Sequence, residues 1–288
     1  MNGFINVIKP VGATASDVVV KLKFLLQEKK IGHLGTLDPG ASGVLPIAVG
    51  QATRLFDFLT DKVKYYRAFF TFGKTTDTLD AYGVLTESSD VIPDENAIKG
   101  VLTGFVGEFD QIPPVYSAKS VGGVRSYKLA RSGAEVELKP KRVSIYEIRL
   151  ISQKSDDTFV VDIKCSAGTY IRSLARDIAQ ACGTVGYMSG LIRLRSGCFD
   201  IQNAYTLDEI AELKDKTILD ISYPLSDGER LDLPDSYYQD LDCGRKIPCP
   251  FNDGYKRIFC NNVFFGLGKN VDGNLKIQYY LKNAGSGV

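Results

Sequence analysis

The chain contains one histidine, His33, and it lies five residues before Asp38 in the stretch GHLGTLDPGASGVLP, residues 32–46. An imidazole and a carboxylate in a glycine-rich loop, leading into the apolar run Val44–Val49, could serve several chemistries. A phosphate cradle needs a lysine and a hydroxyl after its last glycine, but Gly43 is followed by Val44. A serine hydrolase needs a nucleophile elbow, and no GxSxG occurs in the chain. A metal hydrolase needs more nitrogen and oxygen ligands than this loop supplies. A plain turn also accounts for Asp38-Pro39-Gly40, since these are the residue types that form turns. The loop by itself leaves the choice open.

The elements that must position these residues follow from periodicity. FINVIKP predicts a strand stopped by Pro10, and Ser16 is the expected N-cap of a helix with Val18, Leu22, Leu25 and Leu26 on one face. QATRLFDFL predicts a short helix, and KYYRAFFTFG predicts an aromatic strand closed by Gly73. Residues 76–97 are acidic and turn-rich, and ENAIKGVLTGFVG predicts a helix interrupted at Gly100 and Gly104. RVSIYEIRLISQ and TFVVDIKCSAG predict two strands joined by a turn at KSDD. In TYIRSLARDIAQACG, Ile171, Leu174, Ala175, Ile178 and Cys182 share one helical face. Thr206 and Glu209 suit a capping box, and beyond Pro224 short strands alternate with turns.

Bulk composition narrows the class. The chain has 288 residues, 44% hydrophobic and 24% charged, which suits an ordinary globular protein of about two domains. No apolar run approaches the roughly 18 residues of a membrane span, and the first residues show no signal or transit pattern. The six cysteines form no CxxC pair, so free thiols in a reducing cytoplasm are expected and no metal site is. Net charge is only +1. The charge is segregated, however: Ile112–Arg142 holds seven bases against two acids, and Thr75–Ile98 holds six acids and no base. Such a basic segment either is a solvated face or attracts phosphates.

The motif is longer than a turn requires. GHLGTLDPGASGVLP, continuing to IAVGQATRL, resembles the TruB family of pseudouridine synthases, whose signature runs GHxGTLDPxAxGVL. KPVGATASDVV, KYYRAFFTFGKTTDTLDAYG, QIPPVYSAKSVGGVRSYKLARSG and CSAGTYIRSLARDIA resemble further motifs of that family in the same order. The sequence departs from the pattern at Ala15, where the family carries serine, and at Ser120 and Val124 in the basic excursion.

The resemblance implies an α+β (mixed α/β) fold: a pseudouridine synthase domain over residues 1–228, with a mixed, mainly antiparallel sheet flanked by helices. It also implies an RNA-binding insertion at about 112–142 and a short PUA-like β-rich domain over 229–288. The implied reaction converts the T-loop uridine of tRNA (position 55 of the tRNA) to pseudouridine on a flipped-out nucleotide, with no cofactor and no metal. Asp38 is the implied nucleophile, Arg172 its partner, and Tyr66 stacks on the base and assists proton removal. The route could be attack at C1′, attack at C6, or a glycal. Tyr170 and Leu191 are expected to line the base pocket, and His33 to organise the loop and extruded nucleotides. Lys9 and Pro10 are expected to brace the loop, with Asp77 and Asp80 as framework. Lys119, Arg125 and Arg131 are expected to contact the T-arm, and the tail to reach the acceptor stem. The implied protein is a cytoplasmic monomer, without membrane or metal partners. A non-catalytic tRNA-binding or folding factor is the rival reading, and a hydrolase with an aspartate nucleophile lacks the second carboxylate or metal it needs.

Overall fold

The computed structural model describes residues 1–60, 62–116, 120–121, 124–125 and 138–282, with backbone alone at 120–121 and 124–125. In chain order come β1 (Gly3–Lys9), α1 (Ala15–Leu26), β2 (Ile31–His33), β3 (Ala41–Val49), α2 (Phe56–Thr60) and β4 (Lys64–Phe72). A small hairpin, β5 (Lys74–Thr76) and β6 (Leu85–Ser88), precedes α3 (Glu95–Leu102), β7 (Gly107–Gln111), β8 (Ser120–Val121) and β9 (Val124–Arg125). Then follow β10 (Lys141–Ser155), β11 (Thr158–Cys165), α4 (Ile171–Ala181), β12 (Gly186–Ser196), β13 (Phe199–Asp200) and α5 (Leu207–Leu213). The tail carries β14 (Arg230–Leu233), α6 (Tyr238–Asp242), β15 (Ile247–Pro248), β16 (Lys256–Cys260), β17 (Val263–Val271) and β18 (Asn274–Tyr280).

The main sheet runs β1-β3-β12-β4-β11-β10-β7, with β2 on β3 and β13 on β12. All its pairings are antiparallel except β3 with β12, so the expected mixed, mainly antiparallel α+β sheet is what forms. Lys141 and Arg142, the last bases of the expected basic excursion, lie in β10 of this sheet and face β7. Alternation along β4 explains its two faces: Tyr66, Ala68 and Phe70 are buried in the core, whereas Tyr65, Arg67 and Phe69 point the other way. The core packs the sheet against α1, α3 and α4 through residues such as Leu22, Ile98 and Leu174.

Several local expectations are corrected. The cap of α1 is Thr14, not Ser16: Thr14 Oγ1 accepts from the Asp17 amide and Asp17 accepts from the Thr14 amide, so the reciprocal box starts two residues earlier. α3 runs through Gly100, and β10 continues past Lys154 to Ser155, leaving Asp156-Asp157 as the turn. β12 was not anticipated at all, although it is an interior strand of the sheet, between β3 and β4.

The tail forms its own five-stranded sheet, β14-β16-β17-β18-β15, around Leu233, Ile258 and Phe265. It docks on the face of β1 and β3 remote from the main core, where Leu267 and Leu281 join Phe4, Val44 and Ala48. Phe58 meets Tyr255 and Tyr279 edge-on at 5.5 and 6.0 Å, and Arg54 donates to the Tyr280 carbonyl at 3.0 Å.

The close approach of β3 to β12 depends on Gly43. Its φ is +101°, and a Cβ there would run into the carbonyl oxygen of Arg193. Replacing Gly43 with alanine is therefore expected to cost about 3 kcal/mol or more, against about 1 kcal/mol for Thr14→Ala at the helix cap. Urea denaturation of the two variants checks this; equal losses would contradict the close approach.

Candidate active site

The loop between β2 and β3 is held at both ends by the sheet. His33 pairs with Ile47, and the Leu34 amide donates to Pro46 at 2.8 Å. Asp38-Pro39-Gly40-Ala41 is a tight turn, closed by the Ala41 amide donating to the Asp38 carbonyl at 3.0 Å. The turn expected from residue type therefore exists, and Asp38 opens it. Under the turn lies Lys9, fully buried, whose Nζ donates to the carbonyls of Pro10 at 2.8 Å, Ala13 at 2.7 Å and Pro39 at 3.3 Å. Burial pulls its ammonium down to about 8, with Asp38 opposing, so it still carries its proton at neutral pH. Lys9 thus ties the first strand to the Asp38 turn.

Arg172 enters from the first turn of α4. Its Nε lies 3.0 Å from Asp38 Oδ2, and its Nη1 lies 3.4 Å from Asp80 Oδ2. Nη1 and Nη2 also donate to the carbonyls of Thr78 and Tyr116, each at 3.0 Å. The second carboxylate, Asp80, is itself fixed: its Oδ1 accepts from Thr78 Oγ1 at 2.7 Å and from the Tyr82 amide at 3.0 Å. Asp77 caps the same turn by accepting from the Val84 amide at 2.8 Å. The Arg172 side chain is 8% exposed, whereas that of Asp38 is 41% exposed. In the free protein the carboxylate is solvated, because the cleft above it is open, and an incoming group would strip its water.

That cleft has a volume of about 510 Å³ and brings together Asp38, Tyr66, Tyr170, Arg172, Leu191 and Arg193. Five of these six were singled out from sequence. Tyr66 lies on β4 directly across from Arg193 on β12, with its ring buried. Burial raises the Tyr66 phenol above its usual range, Arg193 opposing, so it is protonated and neutral at physiological pH. His33 is not among the cleft walls; it sits half-buried on β2, and burial lowers its imidazole, the Gly35 backbone opposing. Lys119 and Arg131 lie outside the described residues, and Arg125 is described only as backbone in β9.

Sequence reasoning missed three groups. Arg193 is 1% exposed, and Lys64, 5% exposed, donates to Ser196 Oγ at 2.9 Å. Asp80 was read as framework and is also the second carboxylate on Arg172. A signal was available for Arg193: in GLIRLRS, Leu191, Arg193 and Arg195 alternate with apolar residues at strand spacing. Arginine is so seldom buried that the alternation reads as a surface strand. Among the described residues no group of side chains could hold a metal ion, and no helix is long and apolar enough to cross a membrane.

The model of the TruB family pseudouridylate synthase N-terminal domain matches residues 23–171. That of the tRNA pseudouridylate synthase B C-terminal domain matches 172–224. The chain belongs to the TruB family. It is 38% identical to the tRNA pseudouridine synthase B of Clostridium perfringens strain 13, over 98% of this chain and 99% of that protein. It is 46% identical to that of Caldanaerobacter subterraneus subsp. tengcongensis, over 74% of this chain and 75% of that protein. Among solved structures, a chain of a Cbf5–Nop10–Gar1 complex superposes with a TM-score of 0.72 and 27% identity, covering 93% of this chain and 78% of that one. As a TruB-family member the chain is a pseudouridylate synthase by family, and its isolated histidine does not line the cleft that holds Asp38.

With a single histidine in the chain, imidazole titration is unambiguous. Its resonance in proton NMR is expected to titrate below 6.5, the direction set by burial. The unfolded chain then takes up this proton at higher pH than the folded one. Its contribution to stability is complete above pH 6.5 and lost as pH falls through the folded value. A midpoint at or above 6.5 would contradict the half-buried position.

Proposed function

We propose that this protein isomerises the T-loop uridine of tRNA, position 55 of the tRNA, to pseudouridine, with Asp38 as nucleophile. The observation that carries the reading is the Asp38–Arg172 pair at 3.0 Å, at the wall of a cleft closed on its other sides by Tyr66, Tyr170 and Leu191. The reaction breaks the bond from N1 of the base to C1′ and forms one from C5 to C1′. The C5 proton departs and N1 takes one up, so nothing is oxidised or reduced and no group enters from outside. A carboxylate and a place to hold the freed ring are what the chemistry asks for, and no cofactor is required. The names of the relatives, tRNA pseudouridine synthase B, support tRNA as the substrate.

A uridine stacked within a folded loop cannot reach Asp38, so the nucleotide is extruded into the cleft. Tyr66, neutral and rigidly buried, offers a face for the ring; such stacking is worth about 1–3 kcal/mol per base. Entry of the nucleotide displaces the water on Asp38, which strengthens its pairing with Arg172 when charge develops. His33, beside the loop, contacts the neighbouring extruded nucleotides. The basic excursion, with Lys119, Arg125 and Arg131, grips the T-arm phosphates, and the β-rich tail lies along the acceptor stem. The free cysteines suit a reducing cytoplasm, where such a tRNA is processed.

Unmodified tRNA transcript incubated with wild type is expected to acquire pseudouridine in the T-loop, detected by chemical mapping. Asp38→Asn should reduce the rate at least ten-thousandfold while leaving tRNA affinity within a few-fold. Equal product from both would overturn the nucleophile. Tight binding without product from wild type would favour the non-catalytic tRNA-binding factor. Affinity for tRNA should also fall steeply as salt rises from 50 to 200 mM, by about tenfold or more. A flat response would remove the phosphate clamp.

A further inference from the structure

The mechanism above gives no role to Arg193. It sits on β12, an interior strand of the main sheet, 1% exposed. Asp38 and Asp80 are both taken by Arg172, and among the described residues no carboxylate pairs with Arg193. A buried guanidinium without a counterion is costly, so its surroundings must hold it in place by other means. Its Nε donates to the Val44 carbonyl at 2.7 Å and its Nη1 to the Thr36 carbonyl at 3.2 Å. Those two carbonyls stand on either side of Asp38, one before the turn and one after it. Nη2 is sealed from solvent and completes no hydrogen bond to a described residue. Tyr66 is the residue directly across from Arg193, on β4.

We infer that Arg193 is a positioning residue: it staples both ends of the Asp38 loop to the strand beside Tyr66, so that carboxylate and phenol keep one fixed separation across the base site. The inference rests on the proposed pseudouridine chemistry of this cleft. A guanidinium is suited to the task because its planar fork donates to two loop carbonyls at once from a strand position directly across from Tyr66, and a lysine cannot. Although it lies at the cleft, Arg193 is only 1% exposed and its two hydrogen bonds go to the loop, so it acts through Asp38 and Tyr66 and not on substrate. The close approach at Gly43, where a Cβ would strike the Arg193 carbonyl, sets the strand that carries it directly against the strand that carries the loop. Misplacement of reacting groups by about 1 Å is enough to slow a reaction about a hundredfold.

The test is a double-mutant cycle under single-turnover conditions with tRNA transcript, using Arg193→Gln, Tyr66→Phe and both together. Arg193→Gln is expected to keep its circular dichroism spectrum and bind tRNA within threefold of wild type, yet lose about a hundredfold in rate. In the Tyr66→Phe background the same change should lose less than tenfold, because the phenol it positions is gone. The same hundredfold loss in both backgrounds, or weakened binding with an unchanged rate, would overturn the inference. If Arg193→Gln does not fold, Arg193→Lys, which keeps the charge and one carbonyl bond, enters the cycle in its place with the same criteria. An inactive wild type in the parallel assay would instead sink the pseudouridine reading itself, which keeps the two failures distinct.

Discussion

Three segments far apart in sequence converge on a single guanidinium. Arg172 holds Asp38 from the loop after β2 and Asp80 from the turn after β5, together with the carbonyls of Thr78 and Tyr116. The fork geometry of arginine makes this convergence achievable, since one planar group presents donors in several directions. The result resolves a conflict in the demands on Asp38. In its proposed role as nucleophile the carboxylate must be open to substrate, yet an exposed side chain on a loop is ordinarily free to wander. Here the carboxylate is 41% exposed while its partner is 8% exposed, so the mobile half of the pair is anchored by the immobile half. Lys9 does the same for the backbone of the turn from below. Exposure and order coexist because the fixing groups are buried and the fixed group is not.

This arrangement also relocates the desolvation step. A carboxylate that was dry in the free protein would need its ion pair merely to stay ionised. An open one remains solvated until a nucleotide fills the cleft, so its environment changes at the moment of binding. Once that water has left, the charge of the carboxylate is met by Arg172 in its place. The buried cations Lys9, Lys64, Arg172 and Arg193 surround two carboxylates, which makes the floor of the cleft positive although the whole chain carries only +1. Net charge is a poor guide to a polyanion partner for this reason; the field that a phosphate meets is set locally.

What could be read in the sequence was what is encoded locally. Asp38-Pro39-Gly40 forms its turn from the conformational preferences of those residues, and α4 forms from the helical spacing of Ile171, Leu174 and Ile178. Those two signals place Asp38 at a turn and Arg172 at a helix start, and the family resemblance supplied the pairing. β12 stayed hidden because its sequence, GYMSGLIRLRS, mixes hydroxyls, glycines and arginines that elsewhere mark a surface or a turn. It is interior only because β3 and β4 flank it, and that information resides in strand pairings between residues separated by more than a hundred positions. The burial of Arg193 could not be read for the same reason: it is a property of the sheet, not of its neighbours in sequence. The misplaced cap of α1 has a simpler origin, since Thr14 and Ser16 are both good caps and only Thr14 has Asp17 three residues on.

β3 shows how the two halves of the molecule serve one loop. Leu45, Ile47 and Val49 face the main core, whereas Val44 and Ala48 face the second cluster, to which the tail contributes Leu267 and Leu281. A strand buried on both faces needs apolar residues at every position, so GVLPIAV runs continuously where a half-exposed strand would alternate. The tail therefore does more than extend a surface. By covering the outer face of β3 it immobilises the strand from which the Asp38 turn projects, and the loop inherits that rigidity at its C-terminal end. Sites built on the ends of rigid strands hold their side chains more closely than sites on free loops. Truncation of the tail would accordingly expose Phe4, Val44 and Ala48 and loosen Asp38 through the strand, at a distance from any contact the tail itself makes with the cleft.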